Sequence, residues 1–228
     1  MASKTSEFPY PLSTVPGAQA EAELERLMRA GKSEGFSPVI LGNAEELARI
    51  AETMSFNEGT VPGILALAEG INAEEWFRKK IAEYEEDEQS DDEETESEPS
   101  GSNRLTVPFE ILSGEPHKEV YIARIPTTRS WEIPAYLKAG GWNDCPEAEV
   151  QVAISRHWTL KYGAELACLS GDVAEYLVAD PPTQEASADE LAREQYLYCG
   201  DIVWQGVGNV SNLSKTLLRS RYWYFWWD

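Results

Sequence analysis

The sequence predicts an α+β fold: a mixed sheet with an antiparallel hairpin and an aromatic C-terminal strand, and helices packed on it. Three observations carry this reading. Two apolar runs, 164–170 and 173–179, are separated only by Gly171-Asp172, the spacing and chemistry of a tight hairpin. Helical periodicity recurs on either side of them. The last stretch, Tyr222-Trp-Tyr-Phe-Trp-Trp227, is aromatic at every position, and aromatic residues favour strands. With 228 residues, 42% of them hydrophobic, the chain is long enough to bury a core without disulfides or a structural metal.

Taken in order, residues 1–17 contain three prolines and no periodicity, and read as an extended or frayed N-terminal arm. From Ala18 the spacing of Leu24, Leu27 and Met28 predicts a helix closed by Gly31 and Gly35. Pro38-Val-Ile-Leu41 reads as a buried strand ending at Gly42. Asn43 with Glu46 and Asn72 with Glu75 have the spacing of capping boxes, each opening a helix. The first buries Leu47, Ile50, Ala51 and Met54; the second runs through Trp76, Lys80 and Tyr84. Residues 119–125 alternate as a strand does. A turn-rich stretch, 140–146, leads into a helix with Pro146 near its first position and Gly163 as its C-terminal cap. Its buried face is expected to hold Val150, Ala153, Ile154, His157 and Trp158. After the hairpin and Pro181-Pro182, Ser187 with Glu190 suggests a third capping box before a helix through Leu191, Gln195 and Tyr196. A last helix carries Leu213, Leu217 and Leu218. A fully aromatic strand needs cover on both faces, so the terminal strand is expected to be central in the sheet.

Charge is the most unusual property of the chain. Forty acidic residues face nineteen Lys and Arg, a formal charge of −21, and eleven of the acids lie between Glu83 and Glu98 with no basic residue among them. Acids this dense repel one another, which predicts a disordered, solvated loop over 86–103 interrupting one domain that spans 18–228. The same charge repels phosphate and anionic lipid, so no direct nucleic-acid or membrane partner is expected. No apolar run reaches the roughly 18–20 residues of a membrane span, and the N-terminus has no signal-peptide h-region, leading to the expectation of a soluble, cytoplasmic protein. The Asn209-Val-Ser and Asn212-Leu-Ser triplets carry no glycosylation meaning in that setting.

Chemical motifs are sparse. Cys145, Cys168 and Cys199 are odd in number and widely spaced, as reduced structural thiols are. With only His117 and His157 beside them, no metal set or cofactor motif stands out. His157 reads as a satisfied core or boundary histidine, and His117 as a polar-turn residue without a local partner. There is no GxSxG elbow and no HExxH; Gly140-Gly141 and Gly206-Val-Gly208 lack phosphate-loop spacing and read as turns. Asp172, Glu175, Asp180 and Asp201 are expected to flank strand ends, where catalytic acids often sit.

Several motifs, in order, resemble one family. They are Glu132-Ile-Pro, Gly141-Trp-Asn143, Trp158-x3-Tyr162-Gly-Ala-Glu165, Val178-Ala-Asp-Pro-Pro182, Glu194-Gln195, Tyr198-Cys-Gly-Asp201, Gln205-Gly206 and Trp223-Tyr-Phe-Trp-Trp-Asp228. Together they resemble the bacterial domain-of-unknown-function 4253 family, most densely over 131–228, with looser likeness at 35–42 and 74–76. The resemblance carries no catalytic residues to this chain.

The functional expectation is therefore a non-enzymatic acidic binding protein. By analogy with other acidic bacterial proteins, it would be an immunity or inhibitor protein that occludes a basic toxin or nuclease domain. Its contacts would come from Glu86, Asp87, Glu88, Asp91, Asp92, Glu93 and Glu94. The alternative is an enzyme with a carboxylate-based, metal-assisted pocket built from Glu165, Asp201 and Gln205.

Overall fold

A computed structural model of the protein describes residues 8–87 and 103–228. Among these, six strands form one mixed sheet. In chain order the elements are β1 (Leu12–Val15), α1 (Ala20–Glu34), β2 (Ser37–Gly42), α2 (Ala44–Phe56), α3 (Val61–Glu69), α4 (Ala73–Asp87), β3 (Val120–Ile125) and α5 (Ile133–Leu137). There follow α6 (Ala148–Tyr162), β4 (Ala164–Leu169), β5 (Val173–Val178), α7 (Glu185–Tyr198), a π-helical turn (Ile202–Val207), α8 (Val210–Leu217) and β6 (Tyr222–Trp226). The strand order is β1-β3-β2-β4-β5-β6. Every neighbouring pair is antiparallel except β2 and β4, which run parallel through the single register pair Ile40 and Cys168.

Both faces of the sheet are covered. One carries α1 and the segment from Leu105 to Val107, packed on Ile40, Val120, Ile122 and Leu177. The other is larger. Leu47 and Ile50 of α2, Phe77 of α4, Trp158 of α6, Leu191 of α7 and Leu213 of α8 meet Val39, Leu41, Ala123, Tyr176 and Phe225 there. Alternate residues of a strand point to opposite faces, so β6 divides its aromatics: Trp223 and Phe225 are buried, while Tyr222, Tyr224 and Trp226 are half-buried on the other side.

Trp158 is the hub of the larger core. Its ring, fully buried, stacks on Phe225 at 5.3 Å and 7° and on Phe77 at 6.5 Å. It meets Tyr176, Tyr198 and Trp223 edge to face at 5.1–5.9 Å. One side chain from α6 thereby touches α4, α7, β5 and β6.

The hairpin, the aromatic strand and the boundaries of β2, β3 and α1 follow the sequence expectations. Gly35 and Gly163 end α1 and α6 in the left-handed region, at φ 83° and 59°. Gly31 instead lies inside α1, where a side chain would collide with the Phe36 carbonyl.

Other expectations need correction. The arm expected over 1–17 is, from Phe8 onward, part of the body: Phe8 is buried in the core and Leu12–Val15 pair with β3. The prolines that argued against structure flank an edge strand, where a missing N–H is tolerated. Of the acidic loop expected over 86–103, Glu86 and Asp87 are instead the last two residues of α4, and residues 88–102 lie outside the described residues. Helix α3 had no clear signal: its run Val-Pro-Gly-Ile-Leu-Ala-Leu-Ala is apolar almost throughout, so periodicity does not mark it, although Thr60 caps it. Helix α6 begins at Ala148, two residues past Pro146. Helix α7 starts at Glu185, which places Ser187 inside it rather than at its cap. At Asn43 only half of the capping box forms: Asn43 accepts from the Glu45 and Glu46 N–H groups, but the Glu46 carboxylate turns to the Gly171 N–H at 3.0 Å. Strand β6 lies at the sheet edge rather than its centre.

Truncating Trp158 removes contacts to four elements at once. Trp158→Ala is expected to cost about 3–5 kcal/mol of stability, measured by urea unfolding. A loss below about 1 kcal/mol would contradict its place at the centre of the core.

Candidate functional site

Along the edge strand β6 lies a groove of about 620 Å³. Its floor is β6, with Tyr222, Tyr224 and Trp226. One wall is the segment around Arg104, Phe109 and Ile111; the other is the π-helical turn with α8.

The first wall is held by a buried carboxylate. Glu175, in the middle of β5 and only 2% exposed, accepts from the Thr106 N–H (2.7 Å), the Thr106 hydroxyl (2.8 Å) and the Val107 N–H (3.1 Å). Burial raises its pKa, and the Val107 and Thr106 hydrogen bonds oppose that rise without cancelling it. Beyond this anchor, the Arg104 guanidinium stacks over Phe109 at 3.8 Å, and His117 pairs with Glu110 at 3.1 Å. His117, read as partnerless, thus has a partner seven residues back. Glu175, expected at a strand end, is an internal anchor instead. Ile111 and Leu112 stand out from the tip of this wall, 90% and 101% exposed.

The second wall depends on a widened turn. The Gly208 N–H bonds to the Val203 carbonyl, five residues back, in the π pattern, and Gly208 sits at φ 86°. Asn209 then caps α8 through the Asn212 N–H. Asp201, just before the turn, accepts from Gln205 Nε2 at 3.2 Å and from the Asp228 N–H at 3.0 Å. Gln205 Nε2 also lies 3.5 Å from the Asp228 carboxylate. Asp201 and Gln205, both named from sequence, therefore meet at one mouth of the groove. Glu165 does not join them. It lies on β4, 3.9 Å from Lys32 of α1, so the three-residue pocket does not assemble. Of the acids named as partner contacts, Glu86 and Asp87 end α4, while Glu88, Asp91, Asp92, Glu93 and Glu94 lie outside the described residues.

Sequence reasoning missed the groove's inner side. Gln195 and Trp223 border it, each about 1% exposed, and neither Gln195 Nε2 nor Trp223 Nε1 has a hydrogen-bond partner among the described residues. Buried donors are normally satisfied, so two orphans on one groove mark a place suited to an acceptor. The Glu194-Gln195 and Trp223 motifs were visible in sequence; their convergence was not.

Glu194, next to Gln195 in sequence, does a different task. Its carboxylate takes the Trp158 indole N–H (2.9 Å), His157 Nε2 (3.2 Å) and Lys161 Nζ (3.2 Å), tying α7 to α6. His157 is therefore a paired boundary residue. The three cysteines are free and buried; burial pushes all three thiols up, Cys199 to about 12, which leaves them poor nucleophiles. Among the described residues no three His, Cys, Asp or Glu side chains group as a metal site would, and no helix is long and apolar enough to cross a membrane.

These features define an α+β protein with a groove along an aromatic edge strand, bordered by unsatisfied donors and acidic at one mouth. Residues 121–228 match the model of the family described as Domain of unknown function (DUF4253). No curated protein and no solved structure matches the chain.

The carboxylates of Glu194, half-buried, and Glu175, buried, act with opposite sign in acid. Burial pushes Glu194 up, but His157, Lys161 and the Trp158 N–H outweigh it and hold it below its ordinary 4.5. The stability it contributes is fully present above the unfolded value and is lost as pH falls through the folded one. Glu175, raised, instead becomes less costly as pH falls. Glu194→Gln is accordingly expected to flatten the acid limb of the stability–pH curve below about pH 5 while leaving the Trp158 N–H an acceptor. An unchanged acid limb in chemical unfolding at stepped pH would overturn this.

Proposed function

We propose that the protein is a non-enzymatic binding protein for a basic protein partner, in the form of an immunity or inhibitor protein that occludes a toxin or nuclease domain. The observation that carries this is the charge: −21 overall, with eleven acids between Glu83 and Glu98. In the sequence, this stretch runs from the end of α4 towards Arg104, a residue that lines the groove. Asp201, Asp228 and Glu110 add acids around the groove itself. An acidic field of this kind raises the encounter rate with a cationic partner and discriminates against anionic ones. The groove supplies apolar and aromatic contact area, and the exposed Trp204, Ile111 and Leu112 at its borders are residue types suited to an interface. Of the carboxylate-pocket alternative, Asp201 and Gln205 meet while Glu165 lies apart beside Lys32, which favours the binding reading.

The test is capture from a lysate of the source organism by the full chain and by a variant with Glu88, Asp91, Asp92, Glu93 and Glu94 replaced by Gln or Asn. One basic protein is expected on the native chain, its affinity falling about tenfold or more between about 50 and about 500 mM salt and in the neutralised variant. Capture of no basic protein, or capture indifferent to both salt and neutralisation, would count against the proposal.

A further inference from the structure

The free edge of β6 is closed at its ends and open in its middle. The Val178 N–H bonds the Arg221 carbonyl and the Trp227 N–H bonds the Asp172 carbonyl, with an unbroken register between them. In an antiparallel ladder this assigns the β5 hydrogen bonds to Arg221, Trp223, Phe225 and Trp227, and turns the N–H and C=O of Tyr222, Tyr224 and Trp226 outward. Side chains close the two ends. Ser220 Oγ donates to the Tyr222 carbonyl at 2.8 Å and accepts its N–H at 3.3 Å. At the other end the Cys199 thiol donates to the Trp226 carbonyl at 3.0 Å, and Asp201 takes the Asp228 N–H. Between them, the Tyr224 N–H and C=O and the Trp226 N–H have no partner among the described residues, and both residues line the groove. The orphan donors of Gln195 and Trp223 border the same space.

We propose that this groove takes an extended segment of the basic partner as a further strand beside β6, paired through the main chain of Tyr224 and Trp226. This rests on the binding reading above and specifies its mode. Backbone donors and an acceptor at strand spacing call for a strand, since neither a helix nor a folded side-chain surface presents main-chain groups to pair with them. Side chains of an added strand alternate between the two walls. Those on the Gln195 and Trp223 side meet donors and need an acceptor, and the neutral oxygens of Asn, Gln, Ser or Thr provide one without adding negative charge to an acidic protein. The mouth formed by Asp201 and Asp228 selects Lys or Arg. The same charge argues against the other ready occupant, a second copy pairing β6 to β6, because two chains of −21 repel.

The probe is a displayed library of random heptapeptides selected on the full chain at low salt. Enriched peptides should combine Lys or Arg at one end with an internal Asn, Gln, Ser or Thr in an alternating pattern. N-methylation of peptide residues facing β6 should weaken binding about tenfold, and methylation of the alternate residues should leave it unchanged. Tyr224→Pro removes the outward donor but no β5 hydrogen bond, and should abolish binding; Tyr224→Phe should retain it. Binding should also shift the Trp223 indole N–H resonance. The proposal is overturned by the absence of enriched peptides, by equal effects of the two methylation sets, by a folded Tyr224→Pro chain that binds as well as the native one, or by a native dimer that Tyr224→Pro dissolves. If Tyr224→Pro still captures the salt-sensitive partner, the strand mode falls and the binding reading stands. If strand-pairing peptides are found but no such partner is, the binding reading falls and the groove remains a peptide site.

Discussion

The structure depends on burying one indole completely while still giving its N–H an acceptor. Trp158 lies between Phe77 and Phe225, with three further aromatic rings against its edges. Its polar edge reaches the Glu194 carboxylate at 2.9 Å. Placing α6 over the sheet through this ring fixes β6 from inside, because Trp223 and Phe225 can pack on it only when β6 follows β5 in register. Fixing α7 through Glu194 places Gln195 on the groove's inner side, one residue along. The aromatic core and the concave site are thus two sides of one packing arrangement.

A second carboxylate organises the opposite face. Glu175 is covered by backbone N–H groups of Thr106 and Val107, a geometry that suits an anion at some cost in desolvation. Its strand partner across the β5–β6 pair is Tyr224, the residue at the centre of the open edge. The wall that rises beside β6 is therefore pinned directly behind the point where the edge is unpaired. Both carboxylates belong to an acidic chain, yet each is consumed by internal donors; the charge available to a partner comes from the others.

Local chemistry made much of this legible in the sequence. The hairpin at Gly171-Asp172, the caps at Asn43 and Asn72, the glycine ends of α1 and α6 and the aromatic final strand all announce themselves within a few residues, where turn and cap rules act. What depended on distant partners stayed hidden. Leu12–Val15 is a strand only because β3, more than a hundred residues later, pairs with it. The aromatic strand was expected in the sheet's centre because its alternate residues need cover on both faces; the structure covers one face with helices and shields the other with the segment pinned by Glu175. Asp201 and Gln205 could be read as neighbours because they lie four apart, whereas Gln195 and Trp223 meet through the tertiary fold alone. Glu165 was grouped with them on residue type, and type says nothing about which side of a sheet a strand presents.

The sheet's strand order bears on where the chain can be divided. The family match opens at Tyr121, the second residue of β3, and in the sheet β3 is separated from β4 by β2. A fragment cut at that boundary would hold a three-stranded unit of β4, β5 and β6 and an orphaned strand with neither of its neighbours, β1 and β2. It would also strip α1 from one face and α2 and α4 from the other. The stretch that carries the family's signature and the stretch that can close its own sheet are therefore different lengths of chain. Any division that keeps the edge of β6 in its native setting has to retain the N-terminal strands, which lie at the far side of the sheet.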